Sequence, residues 1–196
     1  MLTQLPTTDW QDAFPHKYGH TINTQALYCK VLTLSGKTED TKRLRFAANN
    51  NRDKKLWNGR FYAPYRWKNH NKNMEILNWV DYVGYILAIV FDLADNSKAE
   101  KILSYAEKNK IDIPYPVKAI YPPIKKGSKH WQDYFMDCGA KEPYHYLNAG
   151  VWAFIGGFYV LSLIKLKKFG KAEKELKKLA EANLKGNFPE WINPIT

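Results

Sequence analysis

The feature that most constrains this chain is a repeated couplet of segments, one apolar on every side and the next amphipathic. Val80 to Ala94 carries Val80, Tyr82, Val83, Ile86, Leu87, Ile89, Val90, Phe91 and Leu93. A helix apolar all round is a buried helix. Asp95-Asn96-Ser97 then cap a second helix with a single apolar stripe of Ala99, Ile102, Leu103 and Ala106, its Lys and Glu turned outward. Gly150 to Lys165 repeats the first half of the couplet, and Lys171 to Leu184 the second, with Ala172, Leu176, Leu179 and Ala180 on one stripe. An earlier couplet is weaker in contrast. Thr21 to Leu34 has Ile22, Ala26, Leu27, Val31 and Leu34 at helical spacing; Gly36 ends it, and Thr38 with Glu39-Asp40 opens a partner reaching about Leu56.

Three such couplets predict an all-α chain in which buried inner helices lie side by side and amphipathic outer helices shield them. An α-solenoid or irregular bundle shares the pairing. Those folds have short loops at both ends, whereas here Trp57 to Asn73 and Asp112 to Gly150 are long and rich in aromatic residues or prolines. Loops of that length are usually functional. Gly156-Gly157 sits inside the last inner helix, where each glycine costs about 1 kcal/mol relative to alanine. Close approach of a backbone or a ligand is the expected compensation. The two apolar runs are shorter than the ~18 residues a membrane span needs and both contain Gly, so no membrane association is expected.

A chain of 196 residues fits one domain, read here as residues 1–196, and a hydrophobic fraction of 45% excludes a disordered chain. The 7 Trp and 13 Tyr are the unusual element, because many stand beside polar residues, as in Trp57-Asn58-Gly59-Arg60 and Tyr65-Arg66-Trp67-Lys68. Such surfaces suit carbohydrate, and also stacked bases. The net charge of +11 would favour the second. Much of that charge, however, is interspersed Lys and Glu on outer helix faces, as in Lys171 to Lys178, and no base-reading motif accompanies it. Nucleic acid is not the expected partner. Cys29 and Cys138 form no CxxC pair, so neither a disulfide framework nor a metal site nor a cofactor is expected. Met1 to Pro6 has no basic region or long apolar run, which points to a cytoplasmic protein.

Chemistry concentrates at the two ends. Asp9-Trp10-Gln11-Asp12 sets two carboxylates beside an indole, and Asn187-Phe188-Pro189-Glu190-Trp191 offers a second acid–aromatic pair. A carboxylic acid can protonate a glycosidic oxygen while a ring packs on the apolar face of a pyranose. The functional reading requires folding to bring the two ends together. The plainer one makes Asp9 a helix cap and leaves Glu190 in a tail.

With Asp9 to Asp12, Gly19 and Gln25-Ala26-Leu27-Tyr28; Trp79-Val80-Asp81, Gly84 and Leu87-Ala88-Ile89; His145 to Trp152 with Gly156-Gly157-Phe158; and Asn187 to Trp191, in that order, the sequence resembles the C-terminal half of (α/α)6-toroid glycoside hydrolases. These are the neutral/alkaline invertases, the amylo-α-1,6-glucosidases of glycogen-debranching type and, more distantly, the trehalases. The resemblance implies a six-hairpin glycosidase-like domain, incomplete here, and an inverting hydrolase of α-glucosidic or sucrose-like linkages. It aligns Asp12 with the general acid, Asp9 being the alternate, and Glu190 with the general base. A raised acid pKa through burial against Trp10 or Phe14 is expected. Substrate contacts are expected from Trp10, Trp67, His145, Tyr146, Asn148, Trp152 and Trp191. The sequence departs from the family in having three helix pairs for six, and in carrying Tyr85 where many relatives have Asn. A half ring implies a homo-oligomer, a partner subunit that completes it, or a truncated relative. A non-catalytic sugar-binding or assembly subunit is therefore the competing function.

Overall fold

A computed structural model describes residues 1–50, 55–67 and 78–195. Six α-helices appear among them: α1 (Ile22–Leu34), α2 (Thr38–Asn49), α3 (Tyr82–Val90), α4 (Asn96–Lys108), α5 (Ala153–Lys165) and α6 (Phe169–Lys185). Six two-residue strands accompany them: β1 (His20–Thr21), β2 (Tyr65–Arg66), β3 (Val80–Asp81), β4 (Ile120–Tyr121), β5 (Val151–Trp152) and β6 (Trp191–Ile192). The helices pack as α1/α2, α3/α4 and α5/α6, and α3 lies between α1 and α5. The three couplets are therefore three helix pairs with their first members side by side.

The expectation of an all-α chain needs one correction. Each first helix is preceded by a strand, and each strand pairs antiparallel with one from the loop after the second helix: β1 with β2, β3 with β4, β5 with β6. The unit that repeats is strand–helix–helix–strand. Two residues are too few for alternation to register in the sequence. The ladders gather the long loops around the N-termini of α1, α3 and α5. Several boundaries shift accordingly. α2 ends at Asn49 rather than near Leu56, whose N–H bonds back to the Ala48 carbonyl. Val80–Asp81 leaves the helix for the ladder. The stretch from Asp112 to Gly150 contains β4 and a 3-10 turn at Asp133–Asp137. The end of the Trp57–Asn73 loop lies outside the described residues.

Local chemistry explains the helix starts. Asp95 Oδ1 accepts from the Lys98 N–H at the start of α4, and Asp81 Oδ1 from the Gly84 N–H at the start of α3. Each such cap contributes about 1 kcal/mol. The core is continuous across the three pairs, with Ile22, Ala26, Tyr82, Ile86, Ile89, Ile155, Tyr159 and Leu163 all buried. Gly84 sets the α1–α3 distance: a Cβ there would stand 2.4 Å from Ile22 Cγ2. α3 is buried on every side, as its sequence requires. α5 is not, because Phe154, Leu161 and Ile164 are exposed, as are Leu27, Val31 and Leu34 on α1. No helix among the described residues is long and apolar enough to cross a membrane.

Candidate active site

The ladders β1–β2 and β5–β6 decide what the two ends of the chain face. Register β5–β6 sets Trp152 opposite Trp191. Tyr146 packs on both, with ring centroids 4.9 Å from Trp152 and 6.3 Å from Trp191. His145 lies 5.6 Å from Trp191. From the other end of the sequence, Trp10 stands edge-on to Trp152 at 5.3 Å and to Phe154 at 5.1 Å. Four rings from three segments thus form one floor. Partial burial lifts the Tyr146 hydroxyl above its ordinary pKa, and the negative charges of Glu190 and Asp12 lift it further. Both carboxylates therefore bear on the same phenol, although 178 residues of chain separate them.

The block Asp9–Asp12 holds its two acids in unlike surroundings. Lys17 Nζ, 1% exposed, lies 2.7 Å from Asp81 Oδ2 and 3.0 Å from Asp9 Oδ2, and it also donates to Gln11 Oε1. Asp9 Oδ1 accepts from the Gln11 N–H at 3.0 Å. Asp9 is thus committed to a buried ion cluster that fastens the N-terminal loop to the first turn of α3. Burial pulls the Lys17 pKa down, but the adjacent charges of Asp81 and Asp9 outweigh it and leave it raised. Asp81, cut off from water and sharing one ammonium with Asp9, is held above the usual carboxylate range; the attraction of Lys17 offsets only part of this. Asp12 has no such tie. It is exposed, rather than buried against Trp10 or Phe14 as expected, and it opens onto a cleft of about 380 Å3 shared with His16, Tyr134, Asp137 and Cys138.

Residues 75–194, well over half of the chain, match the family of alkaline and neutral invertases. The chain belongs to that family. Comparison with curated proteins gives no significant match. The matched segment takes in Trp79 to Ile89, His145 to Phe158 and Glu190, and leaves the Asp9–Asp12 block outside it. Membership puts this invertase-family chain among glycoside hydrolases.

The remaining expected contacts divide. Asn148 is fully buried, and its side chain is spent on the loop: Nδ2 donates to the Ile124 and Ala140 carbonyls at 2.8 and 3.1 Å, and Oδ1 accepts from the Ile124 N–H at 2.8 Å. It braces the turn that carries His145 and Tyr146, which also holds Tyr144, Tyr146 and Ala149 at φ of 69°, 46° and 70°. Trp152 Nε1 ties the same turn by donating to the Tyr146 carbonyl at 3.2 Å. Trp67 stands in a separate aromatic file. It packs on Tyr18 at 5.3 Å, Tyr18 lies 5.5 Å from His16, and His16 Nδ1 hydrogen-bonds Tyr134 Oη at 2.8 Å. That file ends at the Asp12 cleft, whose lining includes His16 and Tyr134. Partial burial lowers the His16 pKa, favouring a neutral imidazole at pH 7. Tyr134, Asp137 and Cys138 were not singled out by the sequence. Their sole signal was their place in a long proline-bounded loop. No group of His, Cys, Asp and Glu fit to hold a metal ion occurs among the described residues.

Proposed function

We propose that this chain carries the hydrolytic site of an invertase-type glycosidase, acting on an α-glucosidic or sucrose-like linkage with inversion at the anomeric carbon. Asp12 is the general acid and protonates the leaving glycosidic oxygen. Glu190 is the general base and draws a proton from the water that attacks the opposite face. An inverting pair leaves room for that water, with carboxyls roughly 6.5–9.5 Å apart. The rings of Trp10, Tyr146 and Trp191, backed by the buried Trp152, are the stacking surface for a pyranose, with His145 at their margin and Trp67 in the separate file that leads to the Asp12 cleft. The observation that carries this reading is the packing of Trp10, two residues before Asp12, on Trp152, which the β5–β6 register sets opposite Trp191, the neighbour of Glu190. The ion pair of Asp9 with Lys17 favours Asp12 over Asp9 as the acid. In the test, Asp12→Asn and Glu190→Gln are assayed against sucrose and a panel of α-glucosides, with product anomers followed by NMR. Each substitution should abolish hydrolysis with unchanged circular dichroism. Full activity in either removes that residue from its role, and a retained anomeric configuration removes the inverting mechanism.

The exposed apolar side chains of α1 and α5 favour an assembled form. Leu27, Val31, Phe154 and Phe158 border a groove of about 450 Å3 beside Trp10. Apolar patches of this kind mark interaction surfaces. The three helix pairs are then an arc of an α/α toroid, completed by a second copy or by a partner subunit. A monomer in light scattering at micromolar concentration, inactive on every glycoside, supports instead a sugar-binding or assembly subunit.

A further inference from the structure

Away from the Asp12–Glu190 region, α4 and the hairpin that follows α2 enclose a second cleft, of about 530 Å3. This is within the size range of small-molecule sites. One wall is helical. Lys101, Ser104, Tyr105 and Lys108 recur at spacings of three and four, which places them on one face of α4. The other wall is a hairpin closed by the Trp57–Tyr62 bridge and by the Asn58 N–H to Phe61 carbonyl bond at 3.0 Å. Asn58 Oδ1 accepts from the N–H groups of both Arg60 and Phe61 at 2.9 Å, which fixes the tip that carries Arg60. The floor is Tyr85, 1% exposed, whose hydroxyl is already used on the Tyr62 carbonyl.

The lining is chemically lopsided. Its depth is aromatic and its rim is cationic. Arg60, Lys101 and Lys108 are in no ion pair among the described residues, while the acidic residue at the rim, Glu100, is paired with Lys168 at 3.0 Å. Lys101 Nζ lies 5.8 Å over the Trp57 ring, which leaves Arg60 and Lys108 as the rim cations with no acidic or aromatic partner among the described residues; cations beside an aromatic slot favour a ligand that brings its own negative charge and a flat apolar body. A neutral sugar is a poorer fit, because the neutral side-chain hydroxyls free to meet it are those of Ser104 and Tyr105, and the other polar side chains of the lining, Tyr85 apart, are charged. An arginine can meet phosphate through two parallel N–H donors, and lysines act as point charges.

We propose that this cleft binds an aromatic phosphate of nucleoside monophosphate type, its base between Phe61 and Tyr105 and its phosphate at Arg60, Lys101 and Lys108. The site shares no residue with the hydrolytic one, so the two stand or fall separately.

Isothermal titration of the full chain with AMP, adenosine and inorganic phosphate tests it. AMP should bind saturably at one site, with adenosine and phosphate each about tenfold weaker or more, since each loses one half of the recognition. Arg60→Gln and Lys108→Gln should each weaken AMP about tenfold and reduce its salt dependence. Ser104→Trp, at an exposed position, should fill the cleft and abolish binding with unchanged circular dichroism. Asp12→Asn should leave AMP affinity unchanged. The proposal is overturned by absence of saturable AMP binding, by inorganic phosphate binding as tightly as AMP, or by AMP affinity that survives Ser104→Trp.

Discussion

Lys17→Met is the substitution for which the structure gives the sharpest forecast. The ammonium is 1% exposed and serves Asp81, whose side chain is fully buried, at 2.7 Å and Asp9 at 3.0 Å. Removing it leaves Asp81 as an uncompensated buried charge, and breaking a buried pair from one side costs about 3–5 kcal/mol. Against a total stability of about 5–15 kcal/mol, that is a large share. At ~2–4 °C per kcal/mol for a chain of this size, the melting temperature should fall by roughly 6–20 °C. The double variant Lys17→Met/Asp81→Asn separates the charge from the packing. Asparagine keeps the cap on α3 that Asp81 provides to the Gly84 N–H, so the double variant should regain about 2 kcal/mol over the single one. Thermal and urea unfolding followed by circular dichroism measure both. A loss below about 1 kcal/mol in the single variant, or a double variant no more stable than the single, refutes the reasoning. The pH dependence has a definite sign as well. The Lys17 pKa is raised in the folded protein, so its contribution is complete below the ordinary 10.5 and lost only as pH climbs through the folded value.

The glycine doublet in α5 should divide under substitution. Gly156→Ala places a Cβ 2.5 Å from the Pro116 carbonyl oxygen and 2.9 Å from Leu179 Cδ1 and should destabilise by ~1–3 kcal/mol; Gly157→Ala meets nothing within 4 Å and should stabilise by ~1 kcal/mol. Equal effects in urea unfolding would contradict the packing described. Lys118 supplies a second pH signature. Burial pushes its pKa down to about 8, with Asp112 acting in the opposite sense. Its contribution is therefore full above 10.5 and lost as pH falls through 8, so the stability of wild type relative to Lys118→Met should rise across that window. A flat difference rules this out.

What the sequence determined is the part that rests on local periodicity. The all-round apolar run before α4 announced the buried helix α3, because a helix with no polar face is driven to the interior; its copy before α6 formed the helix α5 but left Phe154, Leu161 and Ile164 exposed. Caps such as Asp95 and breaks such as Gly36 announced where the pairs turn. The acid–aromatic blocks at the two ends stand out by residue type alone, because residue type says what a carboxylate beside an indole can do. Tertiary structure decided which of those residues are tied to partners. Asp9 and Asp12 are equivalent on the page; Lys17 and Asp81, the latter 64 residues further on, take one and leave the other. Asn148, expected to contact substrate, has its amide engaged by Ile124 and Ala140. The two mid-helix glycines looked alike until Pro116 and Leu179 crowded one of them. In each case at least one deciding partner, Asp81, Ile124 or Pro116, lies more than twenty residues along the chain, and a side chain's spare hydrogen bonds and charge are known only once such segments have been packed against it.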